Sequence, residues 1–476
     1  MSVYGRIILL IAGYAMTLLL LRWAVLSHKR QPVSATAWIL AIIFIPILGG
    51  LLFLLLGTHN IHRRRAGKLA AARDIAEKLP DISQFELRDL DLTSQQNRLA
   101  LLIRRECGGI LTGNNTIELI ADTLLTQQRI EDAILGAKQT LDLEYYIWQP
   151  DRTGTRVRDM LIERAKAGVK VRFLYDSLGS MALNRTFLNP MTAAGIQVVA
   201  FLPGSTFRER WSLNNRCHRK IVIVDGTIGF TGGMNIGDEY LGANPDIGYW
   251  RDTHLRLEGP AVWQLQQVFA EDWFYSTGEE LTEKEMFPPP PRTGHGIAQV
   301  VSGGPDGVRE PFHTLTFAAI NEARESITIT TSYFAPTFPL AMALETAAAR
   351  GVKVRVMVAG NSVYPWTVWV GRSFYDTLLR AGVEIYEYKR GIMHSKTLTI
   401  DGVWSLVGTA NFDYRSMLLN FEVALALYGE GFAQELEQQF RADLEHCQTI
   451  RLADWDQRSL SRVFAENVCR LFAPVV

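Results

Sequence analysis

Apolar positions open the chain in two long stretches. Ile7 to Leu21 runs uncharged up to Arg22, and Ala35 to Leu56 is 22 residues without a charge. The second is long enough to cross the ~30 Å hydrocarbon core as a helix. Pro46, Gly49 and Gly50 lie inside it, which spanning helices tolerate. The first reaches spanning length with Arg6 and Arg22 snorkelling to the interfaces and Trp23 among the headgroups. No small-residue cleavage site follows it, which disfavours a signal peptide. The pattern therefore predicts a transmembrane helical hairpin over residues 1–61. Arg6, Arg63, Arg64, Arg65 and Lys68 at its ends outnumber Arg22, Lys29 and Arg30 near its turn. That bias places both ends, and everything after residue 62, in the cytoplasm.

A charged, helix-patterned connector (62–109) follows, and then the pattern repeats itself. Ala133 to Pro150 reads AILGAKQTLDLEYYIWQP, and Ala319 to Pro336 reads AINEARESITITTSYFAP. Each is a helix end followed by an alternating strand. AKAGVKVRFLYD (165–176) matches AARGVKVRVMVA (348–359), and AAGIQVVAFLP (193–203) matches RAGVEIYEYKR (380–390). Strands alternating with helices predict parallel sheets covered by helices. The expected organisation is α/β, with two duplicated lobes at 110–285 and 293–476 packed about a pseudo-two-fold axis. A stiff proline linker at 286–292 separates them.

Charge changes the picture slightly. Lys+Arg and Asp+Glu each number 49. A general nucleic-acid binder carries a basic excess, so the balance disfavours nucleic acid. Cys107, Cys217, Cys447 and Cys469 form no C-x-x-C pair and read as reduced thiols.

One further repeat carries chemistry. His218-Arg-Lys220 leads to Asp225 and then to Gly232-Gly-Met-Asn235. His394-Ser-Lys396 leads to Asp401 and then to Gly408-Thr-Ala-Asn411. Both follow H-x-K-x4-D-x6-G-x-x-N. Residues i and i+2 of a strand share a face, so each His and Lys point the same way. A lone H-x-K is commonly a solvated strand face, but its duplication at equivalent points predicts convergence on one pocket. Such a pocket suits a phosphodiester. Lys220 and Lys396 would supply positive charge, and Asn235 and Asn411 amide donors to the phosphate oxygens. One neutral imidazole would attack phosphorus and the other, protonated, would serve the departing alkoxide. Each ring needs an acceptor on its far nitrogen. Asp252 is expected to hold His218, and Glu422 to hold His394. Asp225 and Asp401 belong to the catalytic motif but read as turn-forming and lobe-fixing. No cluster has metal-ligand spacing, so neither a metal nor another cofactor is expected.

These motifs resemble the HKD signature of the phospholipase D superfamily, which implies a phosphohistidine intermediate and metal-independent transfer. The resemblance extends to bacterial cardiolipin synthases through Asn215 to Gly226, Gly232 to Tyr240, Trp250-Arg-Asp252, the second apolar segment and Arg470-Leu-Phe-Ala-Pro474. It implies transfer of phosphatidyl between two phosphatidylglycerols at the bacterial inner membrane, with the first-lobe His218 as nucleophile and His394 as acid. The motif alone leaves open a phospholipase D, a nucleic-acid phosphodiesterase or a non-catalytic scaffold, and says nothing of oligomeric state. The superfamily often has Ser after the motif glycine; this chain has Gly233 and Thr409. Cys217 stands beside His218, where a polar residue is more usual, and reads as packed.

Three secondary features complete the reading. The aromatic run Tyr364 to Val370, with Phe374 and Tyr375, suits either a lipid contact or core packing. Arg208, Arg210 and Arg216 suit either steering of an anionic lipid or a solvated loop. His254, His295, His313 and His446 have no partner pattern.

Overall fold

The computed structural model describes residues 3–27, 32–54, 75, 78–87, 92–201, 216–242, 248–291, 294–305 and 309–475. The chain divides into two compact units, residues 1–67 with 203–214, and residues 68–202 with 215–476.

The described part of the first unit is a helical hairpin. Val3–Ser27 packs against Pro32–Phe44 and Pro46–Leu52. Leu20, Ala24, Ile42 and Phe53 bury against one another, and Trp23 and Trp38 meet the Phe53 ring edge-on at 5.9 and 5.6 Å. The uninterrupted second span expected from the sequence is broken at Ile45, which leaves the helical region at φ −132°, ψ 65°. Proline disfavours helix in the residue before it and suits the first helical position, so Pro46 starts a new helix. Among the described residues, no helix is long and apolar enough to cross a membrane.

The second unit is built on one 15-stranded sheet. Each lobe contributes a core of three parallel strands. In the first lobe these are Thr140–Tyr145, Lys170–Asp176 and Gln197–Phe201; in the second, Ser326–Thr331, Lys353–Ala359 and Glu384–Tyr388. The purely parallel sheet expected is corrected here. The motif strands Ile221–Val224 and Thr397–Ile400 run antiparallel to the first strand of each trio, and each turns back through Ile228–Gly232 or Trp404–Gly408. The turns are too tight for a crossover helix, so the returning strand must be antiparallel. Thr112–Ile120 and Gly296–Gly303 join the two halves, pairing Thr112 with Ala298 and Asn115 with Gly296. Outward from that junction the strand order repeats on both sides, apart from one extra edge strand, Cys447–Ile450.

Helices cover both faces. Pro260–Thr277 buries Leu265, Phe269 and Trp273 in a core that also holds Val407, Val423 and Leu425 of the second lobe. The lobes thus share an apolar seam. Within the predicted connector, the helix Ser94–Cys107 starts on a Thr93/Gln96 capping box and buries Leu99 and Ile103 in the second lobe's core. The proline segment lies on the first lobe, with Pro288 accepting from the Trp263 indole at 2.8 Å.

Asp225 and Asp401 each sit at φ 50° in the turn after the motif strand. The Asp225 carboxylate accepts from the amides of Lys138, Gln139 and Thr140 at 2.7–3.2 Å. That of Asp401 accepts from Arg324, Glu325 and Ser326 at 2.7–3.1 Å. These oxygens tie the motif turn to the end of the neighbouring strand. Asp225→Ala is expected to cost about 2 kcal/mol of stability in denaturant unfolding, from three amides losing a charged acceptor, with turnover of the folded protein retained. A large loss of turnover at unchanged stability would contradict a fixing role.

Candidate active site

The two motifs meet where the lobes touch, and backbone register brings them there. Gly391–Met393 pairs in parallel with Tyr249–Arg251, setting Met393 beside Arg251. Cys217 bridges Phe421 in the same parallel sense. In parallel strands the next residues stay side by side. His394 therefore follows Met393 to lie beside Asp252, and His218 follows Cys217 to lie beside Glu422. The amide of His394 donates to the Arg251 carbonyl at 2.7 Å, and that of His218 to the Phe421 carbonyl at 2.9 Å. Glycine at 391 permits the approach, since a Cβ there would stand 2.0 Å from the Tyr249 carbonyl oxygen.

The result corrects the pairing expected from sequence. His218 Nδ1 lies 3.0 Å from both oxygens of Glu422, and His394 Nδ1 lies 2.6 Å from Asp252 Oδ2. Each ring is held by the opposite lobe's carboxylate. Proximity along the chain suggested a partner within the lobe, but the interlobe register decides. A carboxylate at Nδ1 fixes the proton there and leaves Nε2 with a lone pair. Aromatic rings frame both: Tyr146 lies 4.9 Å from the His218 ring, and Trp250 lies 5.1 Å from the His394 ring.

Burial sets the electrostatics. The His218 and His394 side chains are 11% and 10% exposed, while Glu422 and Asp252 are buried. Burial, with the nearby lysines, lowers both imidazoles to about 4 against the pull of their carboxylates. Burial likewise lowers Lys220 to about 7 and Lys396 to about 8. Burial would raise Glu422, but His218 and Lys220 outweigh it and hold the carboxyl down at about 2. Asp252 is held low in the same way by His394 and Lys396. Each lysine also anchors to its own motif, Lys220 Nζ donating to the His218 carbonyl at 2.7 Å and Lys396 Nζ to that of His394.

The two departures at the motif glycine have structural reasons. Thr409 Oγ1 donates to Glu422 Oε2 at 2.5 Å. At the equivalent Gly233 a Cβ would stand 2.1 Å from Asp252 Oδ1, so the carboxylate fills the space a side chain would need. Asn235 is buried, with its carbonyl oxygen accepting from the Ile147 amide at 3.2 Å. Asn411 is buried too, and its Oδ1 has no hydrogen-bond partner among the described residues.

Several neighbours escaped the sequence reading. His254 is buried and driven down to about 4 by burial, close enough to Asp252 and Lys220 to feel their charges. Its position two residues beyond Asp252 was the available signal. Thr253 and Ser395 hydrogen-bond across the lobes at 2.6 Å. Cys217 is packed, its thiol donating to Glu144 at 2.6 Å. Arg216 is no solvated loop residue; it is buried 3.7 Å from Asp176. Arg208 and Arg210 lie outside the described residues. The aromatic run divides, with Phe374 and Tyr375 in the core and Tyr364, Trp366 and Trp369 exposed. Glu144, Cys217 and Asp272 lie close enough to share a metal ion, but Arg219 already pairs with Asp272 and fills that role.

The family profile described as cardiolipin synthase, PLD-like domain, matches residues 130–273 and 316–444, one match in each lobe. A phospholipase D-nuclease N-terminal profile matches residues 15–57. A cardiolipin synthase of Oceanobacillus iheyensis is 36% identical over 456 residues, covering 94% of this chain and 95% of its own. The major cardiolipin synthase ClsA of Bacillus subtilis is 36% identical over 479 residues, 98% of this chain and 99% of its own. Among solved structures, a phosphatidylserine synthase of Haemophilus influenzae shares the fold, with TM-score 0.62 at 13% identity over 80% of this chain and 98% of that one. With both lobes matched and curated relatives aligned nearly end to end, the chain belongs to the cardiolipin synthase family, whose lobes are phospholipase D-like.

Proposed function

We propose that the chain forms cardiolipin and glycerol from two phosphatidylglycerols through a phosphohistidine. The observation that carries this reading is the pair of buried imidazoles, each with Nδ1 tied to a carboxylate and Nε2 left for chemistry. In the first half-reaction His218 Nε2 attacks the phosphorus of one phosphatidylglycerol. The bond from phosphorus to the headgroup glycerol breaks as protonated His394 gives that oxygen its proton. Glycerol leaves, and a phosphatidyl group remains on His218. In the second, neutral His394 takes the proton from a headgroup hydroxyl of another phosphatidylglycerol. That oxygen attacks phosphorus, the N–P bond breaks, and cardiolipin departs with both histidines restored. The assignment of His218 as nucleophile rests on the family resemblance of its motif, since the spacing is symmetric.

Lys220, Lys396, Asn235 and Asn411 are proposed to hold the non-bridging oxygens. Without an anion, burial and two ammonium groups favour neutral rings. An entering phosphodiester opposes the lysines with its negative charge, which favours the protonated ring the first step needs. The lysines supply the charge that a metal would otherwise bring. The hairpin is proposed to anchor the enzyme in the bacterial inner membrane, with the lobes on the cytoplasmic side. Leu18, Leu19, Ile43, Phe44 and Ile47 point outward from it, a surface suited to lipid.

The test begins with membranes washed in alkaline carbonate, which should retain the protein. After detergent purification and incubation with labelled phosphatidylglycerol and EDTA, cardiolipin and glycerol should appear in equal amounts. His218→Ala should abolish turnover and leave no covalent adduct. His394→Ala should abolish turnover but accumulate adduct when a good leaving group replaces glycerol. Phosphatidic acid as sole product would make the enzyme a hydrolase, and adduct on His394 in His218→Ala would reverse the roles.

The lowered lysines set a pH dependence. A lysine loses its charge as pH rises through its own value, so phosphate binding by the free enzyme should weaken between about pH 7 and 8. kcat/KM is expected to fall there roughly ten-fold per unit beyond the first ionisation, with kcat less affected because bound phosphate holds the protons on. A flat kcat/KM up to pH 10 would contradict the buried-lysine account.

A further inference from the structure

The C-terminal helix Leu460–Arg470 is turned the wrong way for water. Its fully buried residue is an acid, Glu466, at 2% exposure. Glu466 is held by Arg458 and Arg462, and Arg470 stacks on the Phe374 ring at 4.3 Å. The opposite face carries Leu460, Phe464 and Val468, continued past the helix by Leu471 and Phe472. Leu460 is 87% exposed, Phe464 71% and Leu471 77%. A surface helix of a water-soluble protein buries its apolar stripe and exposes its charges. Here Arg458 and Arg462 pair with Glu466 inside the C-terminal segment, Arg470 lies over Phe374 of the lobe, and the stripe faces out.

The stripe continues toward the active site. This helix packs against Pro365–Arg372, which exposes Trp366 and Trp369, with Tyr364 just ahead of it. Pro365–Arg372 in turn sits on the strand Phe334–Ala335, where a Cβ on Gly371 would lie 3.2 Å from the Phe334 carbonyl oxygen. Phe334 pairs with Phe412, the residue after Asn411 of the second motif. Tyr364 is also near enough to influence Tyr146, the ring beside His218. The exposed stripe and the exposed rings Tyr364, Trp366 and Trp369 thus lie on adjoining helices, joined through the buried Phe334 and Phe412 to the segment that carries Asn411.

We propose that this face, Leu460 to Phe472 with Trp366 and Trp369, docks the second lobe on the bilayer and presents lipid headgroups to the pocket. The occupant is the acyl–headgroup boundary of a membrane. An outward Leu/Phe stripe suits insertion at that depth, and tryptophan and tyrosine suit its interface. The proposal rests on the cardiolipin-forming reading and adds a membrane contact made by the catalytic unit itself, besides the hairpin.

The test uses the full chain and the double variant Phe464→Glu with Leu471→Glu, which alters exposed positions outside the pocket. Each is assayed on phosphatidylglycerol bilayers and on monomeric phosphatidylglycerol with six-carbon chains. The variant should raise the apparent KM for bilayer lipid about ten-fold or more while turning over monomeric lipid as the native chain does. Separately, brominated acyl chains should quench less fluorescence in Trp366→Phe with Trp369→Phe than in the native protein. Unchanged kinetics on both lipids with unchanged quenching would overturn the proposal. So would an equal loss on both lipids, which would mark the face as part of the fold. A variant that dissociates from dimer to monomer with KM unchanged would show that a second copy covers the face. Failure of the native chain on both lipids would instead sink the functional reading, leaving the quenching result to judge the surface.

Discussion

Two imidazole–carboxylate pairs, His218 with Glu422 and His394 with Asp252, cross the boundary between the lobes, and the rest of the site depends on them. Neither lobe holds both members of a pair. The crossing follows from two short stretches of parallel backbone, Met393 beside Arg251 and Cys217 beside Phe421. A shift of one residue in either register would turn the carboxylate to the other face and strand a buried charge. The apolar seam of Phe269, Val407 and Val423 holds the lobes in that register. Glycine at 391 and the interlobe Thr253–Ser395 hydrogen bond close it.

The same geometry fixes the electrostatics. Taking two lysines, two histidines and two carboxylates out of water costs most for whichever form is charged and unpaired. The carboxylates stay ionised because each faces a ring and the shared ammonium groups. The rings stay neutral, and the lysines drop toward neutrality. With the rings neutral, the two lysines at most balance the two carboxylates of the empty pocket, and the added negative charge of a phosphodiester would be met by a proton on one ring.

Much of this was legible in the sequence because it is local or repeated. The duplicated H-x-K pointed to two converging motifs, although His218 to Lys220 and His394 to Lys396 lie just ahead of the strands Ile221–Val224 and Thr397–Ile400 rather than on a strand face. The turn role of Asp225 and Asp401 was legible because a carboxylate before glycine at a strand end has backbone amides to satisfy. The pairing of rings with carboxylates was not, because it depends on how the lobes meet; Asp252 lies closer in sequence to His218 yet serves His394. The mixed sheet was obscured by helix–strand alternation that covers only three strands of each lobe. The break at Ile45 was masked by an unbroken apolar run, in which Pro46 could be tolerated or could start a helix. The inverted C-terminal helix was hidden because sequence periodicity shows that a stripe exists and not which way it faces.

The crossed pairing is open to direct measurement by 15N resonance of selectively labelled histidines in the full-length protein. Glu422→Gln removes the charged acceptor from one ring and Asp252→Asn from the other, at nearly constant shape. If the rings are held across the lobes, Glu422→Gln shifts the Nδ1 and Nε2 resonances of His218 and leaves those of His394 in place. Asp252→Asn does the reverse. Each carboxylate acting instead on the histidine of its own lobe would contradict the interlobe register on which this account of the active site stands.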